Sequence, residues 1–462
     1  VLSFEYQSTK SLGFLQVFLG APISEDRSCK GSAVLASTGW SVYSIDLGEY
    51  IRKYSWGKTG DFMRLDFGTE AGITVKVRNM QLRARNAEEI AQAKAREDKI
   101  AADLLLETGL KKYLSTGYNS QITEVKVEAA SIGIKGNYSG NGSFSLAEVT
   151  PYNQLTQTAK FQNVTSLNSP SFSVVVERFV TRDGYKYDRA LSKWLIIKAG
   201  STTDEVVSHA RYADEISASR NLPAQKPTGR KGLGGYGASR GFQTDLDDLQ
   251  ISSATVNVAF TDFMYLNSRA NAIEHTYGGK TYYFDQAKVA ALDKTFQTAF
   301  SKNIVVAAII LVQKASQCAD PEIGKLLQHP DYTSEGIYTM PNMTNAASFN
   351  CYAAALDFLA NRYCRADNSY GRIHHWIMHN EVDAGLTWTN MGNTPMLVYL
   401  DTYYKSMRLC YNLARKYDAN SEVFASFTHS WTSAVESKYY STKDMLSALQ
   451  DYCKAEGDFQ WA

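Results

Sequence analysis

From about residue 225 the chain repeats one rhythm, a short apolar run followed by a helical stretch, and this limits its fold more than any other feature. The apolar runs predict strands at 231–236, 253–261, 303–312, 374–381, 421–428 and 459–462. Helical spacing predicts helices at 285–301, 346–365, 396–417 and 443–455. Apolar strands alternating with amphipathic helices imply a parallel sheet, because each parallel crossover needs a helix to carry the chain back. Six strands are compatible with a doubly wound sheet. A (β/α)8 TIM-type barrel showing strands 1–6 only fits better. The sixth strand, Phe459-Gln460-Trp461-Ala462, stops with the sequence, so the expectation is a fragment whose barrel is incomplete at its C-terminus.

The preceding residues read differently. Residues 1–86 hold short strand-like runs, such as Phe14–Leu19 and the alternating Ile73–Arg78, and predict an antiparallel β-sandwich. Trp40 and Trp56 either stack on sugar or fill the sandwich core. The pattern resembles the jelly-roll carbohydrate-binding modules attached to glycosidases. Residues 87–118 switch to helix-forming composition, with Asn86 and Glu89 placed for reciprocal capping and Lys94 and Asp98 paired at i,i+4. This predicts a helical linker. Residues 119–212 return to β, through Ile122–Val127, Phe172–Val180 and Trp194–Ile197, and predict a second sandwich. The barrel is assigned to residues 213–462. The expected architecture is thus multidomain, with two β-sandwiches joined by a helix ahead of an incomplete barrel.

With 462 residues, two to four domains are expected, and a formal net charge of +1 removes the electrostatic case for nucleic acid or acidic membranes. No apolar run is long enough for a transmembrane segment. The six cysteines show no CxxC spacing, so neither a zinc framework nor a disulfide scaffold is expected. Cys351 and Cys364 fall in one predicted helix, roughly 20 Å apart at 1.5 Å per residue, too far to bridge. The start at Val1 without a signal peptide suggests a trimmed product. The 29 tyrosines suit a secreted, periplasmic or cell-surface protein, and the sequons at Asn137, Asn141, Asn163 and Asn342 matter only in a eukaryote.

The chemistry is expected at the rim where the predicted fourth strand ends. Ile373-His374-His375-Trp376-Ile377-Met378-His379-Asn380-Glu381 reads as a buried strand running into an Asn-Glu pair. Barrel enzymes keep their catalytic groups at the C-terminal ends of the strands. Glu381 is the candidate acid/base; capping a helix or pairing with a cation is its plainer reading. Trp376 and Trp388 are placed to give it an apolar setting. His429 and Trp431 follow the predicted fifth strand as candidate substrate contacts, with His429 otherwise structural. His379 and Asp383 flank the acid; Asn257, Gln313, Lys314 and Trp461 are further rim candidates. His374 and His375 start the strand and read as structural. No HExxH spacing supports a metal site. Gly232-Leu233-Gly234-Gly235-Tyr236-Gly237 matches G-x-G-x-x-G, but no helix opens on it, so no nucleotide cofactor is expected.

On Asn380-Glu381 at this strand, the chain from about 225 to 462 resembles the retaining glycoside hydrolases of clan A. The layout also resembles poorly characterised bacterial proteins that join β-domains to a glycosidase-like barrel. The resemblance implies a (β/α)8 barrel with Glu381 as general acid/base, Asn380 bonding the sugar 2-hydroxyl, a carbohydrate substrate and no cofactor. It also implies a nucleophilic Glu after a seventh strand, which would lie beyond residue 462, so the segment alone would be inactive. The alternative is a non-catalytic carbohydrate-binding or surface assembly protein with a degenerate barrel.

Overall fold

The computed structural model describes residues 1–20, 22–239, 244–434, 436 and 438–457. It divides into two compact units, Val1–Ala102 and Asp103–Ala462. The boundary falls inside the helix Ala87–Ser115. At the start of that helix Asn86 and Glu89 exchange two hydrogen bonds, Asn86 N to Glu89 Oε2 and Glu89 N to Asn86 Oδ1, both 2.8 Å.

The first unit contains two three-stranded antiparallel sheets. One orders Ser37–Ile45, Leu2–Ser8 and Val75–Leu82; the other orders Ser28–Lys30, Leu15–Gly20 and Phe62–Phe67. Their inward residues, among them Phe4, Leu15, Val17, Leu19 and Tyr43, form one core. Trp40 does not fill that core. It stands 39% exposed, with the Arg78 guanidinium 4.0 Å from its ring centre. Trp56 packs at the edge of the core and donates its indole N–H to Phe62 O.

The second unit begins with two four-stranded sheets around Val125, Ile132, Ile134, Leu146, Trp194 and Ile196. These sheets are held to the helices that follow by buried polar contacts. Lys193 Nζ lies 2.6 Å from Glu456 Oε1, Gln154 Nε2 donates to Asp401 Oδ2 at 2.6 Å, and Asn412 Nδ2 donates to Ala190 O at 2.9 Å.

The remaining sheet has five strands, Gly232–Leu233, Ser253–Ala259, Val305–Leu311, His375–Met378 and Glu422–Phe424. They lie side by side in chain order, and every neighbouring pair is parallel. Helices Gln286–Ser301, Ala346–Tyr363, Met396–Tyr417 and Thr442–Glu456 accompany it. An antiparallel hairpin, Ala272–Tyr277 with Lys280–Asp285, is inserted between the second and third strands. Period-two alternation sends Val256, Ala308, Trp376 and Val423 into the core shared with the helices. A large apolar side chain contributes roughly 1.5–3 kcal/mol when fully buried, so this face anchors the sheet. The other face carries the register row Asn257, Ile309, Ile377 and Phe424, in which Asn257 is exposed and Ile377 and Phe424 are half-buried.

Several expectations change. The described residues form no closed barrel. The expected strand 459–462 lies outside the described residues. The strands are also shorter than their apolar runs: the fourth ends at Met378 and the fifth at Phe424. Residues beyond those ends use their backbone groups to join loops instead of extending the ladder. Trp376 belongs to the helix-side core, where strand alternation turns it.

Candidate active site

The segment after the fourth strand is built around two buried polar residues. His379 is fully enclosed: Nδ1 lies 2.7 Å from Ile310 O and Nε2 lies 3.1 Å from Ser406 Oγ. A proton on Nδ1 serves both contacts, so the imidazole is neutral, and burial pushes its pKa down to about 4. Asp383 is 1% exposed, and its carboxylate accepts from Thr428 N, Thr428 Oγ1 and Thr442 Oγ1. The backbone adds Val382 N to Ser426 O and Tyr440 N to Asp383 O. The segments that follow the fourth and fifth strands are therefore stitched together.

Glu381 sits between these anchors. Its backbone is left-handed, φ 39° and ψ 60°. A non-glycine residue held there costs of order 1–3 kcal/mol and persists only where surroundings impose it. Glu381 N is 3.4 Å from Ser426 Oγ, and Trp388 Nε1 donates to Glu381 Oε2 at 3.0 Å. Among the described residues Oε1 accepts no hydrogen bond. Trp388 lies in the short helix Gly385–Trp388, and its ring stacks on Tyr338, 5.6 Å between centres with planes at 14°. Tyr338 belongs to the connection after the third strand, which Ile337 N and Tyr338 N tie to Thr387 O. A half-buried carboxyl with one oxygen oriented by an indole and the other unclaimed can exchange a proton with a group bound at this rim.

The other candidates are dispersed. Asn380 is half-buried beside Glu381. Asn257 is in the middle of the second strand, on the less covered face. Gln313 Oε1 accepts from Thr261 Oγ1 at 2.9 Å, and Lys314 precedes a short 3-10 turn. His429 is exposed and lies in the loop after the fifth strand, not at the strand's end. Trp431 is 56% exposed and lines a surface cavity with Lys443, Leu446, Ser447 and Gln450. Neither hydrogen-bonds to Glu381 among the described residues. Trp461 lies outside the described residues. His374 is buried, while His375 packs against Phe424, with Nδ1 3.4 Å from Glu422 Oε2. Tyr338, Ser426 and the bonding of Asp383 went unread in the sequence, since no local spacing links them to Glu381. Among the described residues no three His, Cys, Asp or Glu side chains are grouped to hold a metal ion, and no helix is long and apolar enough to cross a membrane.

Residues 223–462, more than half of the chain, match the model of a family of unknown function, DUF5722, and the chain belongs to that family. No curated protein matches it. Among solved structures it is similar to the family 1 β-glucosidase from Thermotoga maritima in complex with isofagomine lactam, 11% identical over 46% of this chain and 42% of the other, with a TM-score of 0.25. It is also similar to the apo β-glucuronidase 3 from Bacteroides uniformis, at 8% identity, 92% and 45% coverage and a TM-score of 0.21. The Parabacteroides merdae β-glucuronidase gives 6%, 91%, 45% and 0.22. The chain spans less than half the length of each of these proteins.

Proposed function

We propose that this chain belongs to a retaining glycoside hydrolase acting on a polysaccharide or oligosaccharide, with Glu381 as the general acid/base. The observation that carries the reading is Glu381 itself: a left-handed carboxylate residue just past the fourth of five sequentially ordered parallel strands, oriented by Trp388. All-parallel sheets are covered on both faces, and the row from Asn257 to Phe424 is incompletely covered. Closure into a (β/α)8 barrel would cover it and would place Glu381 on the catalytic rim. Retention of configuration needs a second carboxylate about 5–5.5 Å from the first, and we assign it to a residue outside 1–462. Asn380 would meet the sugar, and Trp388, Asn257, His429, Trp431 and Trp461 are the further contacts proposed. The protein would act outside the cytoplasm, where polysaccharides are met.

A non-catalytic carbohydrate-binding or surface assembly protein with a degenerate glycosidase-like barrel is the second reading. It is the reading under which Glu381 has no second carboxylate to work with, since the buried Asp383 beside it is already taken up by Thr428 and Thr442. The test is Glu381→Ala in the complete protein, assayed on aryl glycosides with good and poor leaving groups. An acid/base role predicts a loss of about 10²–10⁴ on poor leaving groups, a smaller loss on good ones, and recovery with azide. Turnover equal to that of the unaltered protein on both substrates removes the enzymatic role of Glu381.

A further inference from the structure

His379 stands where the fourth strand stops and the chain turns to the rim. The strand ends at Met378, which registers against Ile310 of the third strand. The next residue turns its imidazole back on that strand, with Nδ1 2.7 Å from Ile310 O. On the other side of the ring the contacts run on into two helices. Nε2 lies 3.1 Å from the Oγ of Ser406 in the helix Met396–Tyr417. Ser406 Oγ in turn lies 2.9 Å from the hydroxyl of Tyr352 in the helix Ala346–Tyr363. All three side chains are buried.

The chemistry of these groups fixes the direction of every bond. A carbonyl only accepts, so Nδ1 carries the proton. In a neutral imidazole Nε2 can then only accept, and Ser406 directs its hydroxyl proton there. What remains on Ser406 is an acceptor, and the Tyr352 hydroxyl donates to it. Burial, which pushes the His379 pKa down, keeps the ring in this neutral form. None of the groups can turn without leaving a buried donor or acceptor unpaired. Met378, before His379, is buried, whereas Asn380 and Glu381, after it, are half-buried at the rim.

From this geometry we propose that Ser406 and Tyr352 are positioning residues for Glu381. Through His379 they hold the peptide that leads into the left-handed turn at Glu381, where the carboxylate meets the Trp388 indole. The catalytic consequence rests on the reading of Glu381 as the acid/base. The placement of its carboxylate does not.

The experiment follows the Trp388 indole N–H by NMR in the complete, 15N-labelled protein, because that proton is bonded to Glu381 Oε2. Glu381→Ala supplies the resonance of the unbonded indole. Ser406→Ala removes the donor to Nε2 and should carry the resonance towards that position. Tyr352→Phe leaves Ser406 able to donate, so it should move the resonance the same way and less far; this milder variant decides the matter if Ser406→Ala does not fold. On aryl glycosides Ser406→Ala should lower kcat/KM about tenfold with poor leaving groups, the effect of one lost hydrogen bond, and by less than about twofold with good ones, which need little acid assistance. A resonance unmoved in the folded variants, or a kcat/KM lowered equally on both kinds of substrate, would overturn the positioning role. A resonance that moves as expected in a protein whose unaltered form turns over neither substrate would overturn the acid/base reading and support the positioning of Glu381.

Discussion

The indole N–H of Trp388 reaches Glu381 Oε2 at 3.0 Å while the same ring stacks on Tyr338. One aromatic residue thus fixes a carboxylate and forms the wall beside it. Trp388→Phe keeps most of the wall and removes the donor. A hydrogen bond to a charged group is worth about 1.5–3 kcal/mol. If Glu381 is the acid/base, kcat/KM should fall roughly tenfold to a hundredfold, with little change in Tm. An unaltered kcat/KM would show that this hydrogen bond does not prepare the carboxylate for catalysis.

Asp383 holds the segment after the fifth strand against the one that contains Glu381. Asp383→Asn keeps the volume but turns one acceptor oxygen into a donor, facing Thr428 N–H or the threonine hydroxyls. We expect a loss of about 1–3 kcal/mol in urea unfolding. Faster amide exchange should appear over residues 380–384 and 426–430. Exchange that rises elsewhere but not in these two segments would mean that Asp383 does not join them.

Much of the scaffold can be read in the sequence, and most of the site cannot. Apolar runs and helical spacing are local, so the Met396–Tyr417 helix and the cores of the second to fifth strands stand where those patterns fall. Asn86 and Glu89 act over one turn, and their cap is legible for the same reason. The ends of strands are not local. Val382 N and Ser426 O, which two adjacent strands would not pair, bond to each other across loops because Asp383 draws the loops together. The direction of Trp376 depends on which face the helices cover, and alternation alone leaves that open. Tyr338 approaches Trp388 from a different connection, so no sequence spacing could have marked the pair.

Glu456 is the point where the second sandwich meets the last helix. It is fully buried, and its Oε1 receives both Lys193 Nζ at 2.6 Å and the Tyr113 hydroxyl at 2.8 Å. Glu456→Ala would leave the Lys193 ammonium buried without its counter-ion, a change that costs about 3–5 kcal/mol in comparable pairs. Lys193→Met with Glu456→Leu removes both charges and should recover most of that loss. A Glu456→Ala variant as stable as the unaltered protein in chemical denaturation would mean that the pair contributes nothing to holding the two parts together, and a double variant no more stable than Glu456→Ala would mean that the unpaired Lys193 charge is not the source of the loss.

Acid should destabilise this fold through its buried histidines between pH 6.5 and about 4. His374 accepts Val306 N–H on Nδ1 at 3.0 Å and donates from Nε2 to Gln225 Oε1 at 2.8 Å. A proton on Nδ1 would face the Val306 donor. Burial first, then the nearby Arg372 charge, pushes the His374 pKa down to about 3, and burial pushes His379 down to about 4. Both folded values lie below the ordinary 6.5, so between pH 6.5 and about 4 the unfolded chain takes up protons that the native protein refuses. Stability therefore rises with pH in this window and is lost as pH falls. From pH 7 to pH 5 each histidine should cost about 2 kcal/mol. The buried Asp357 and Asp401 are held below the usual carboxylate range and act only in stronger acid. Urea unfolding at pH 7 and pH 5 measures the difference directly, and His374→Gln should reduce it by about 2 kcal/mol. An unchanged difference in that variant would mean that His374 is protonated in the native protein and that its bond to Val306 N–H is not maintained.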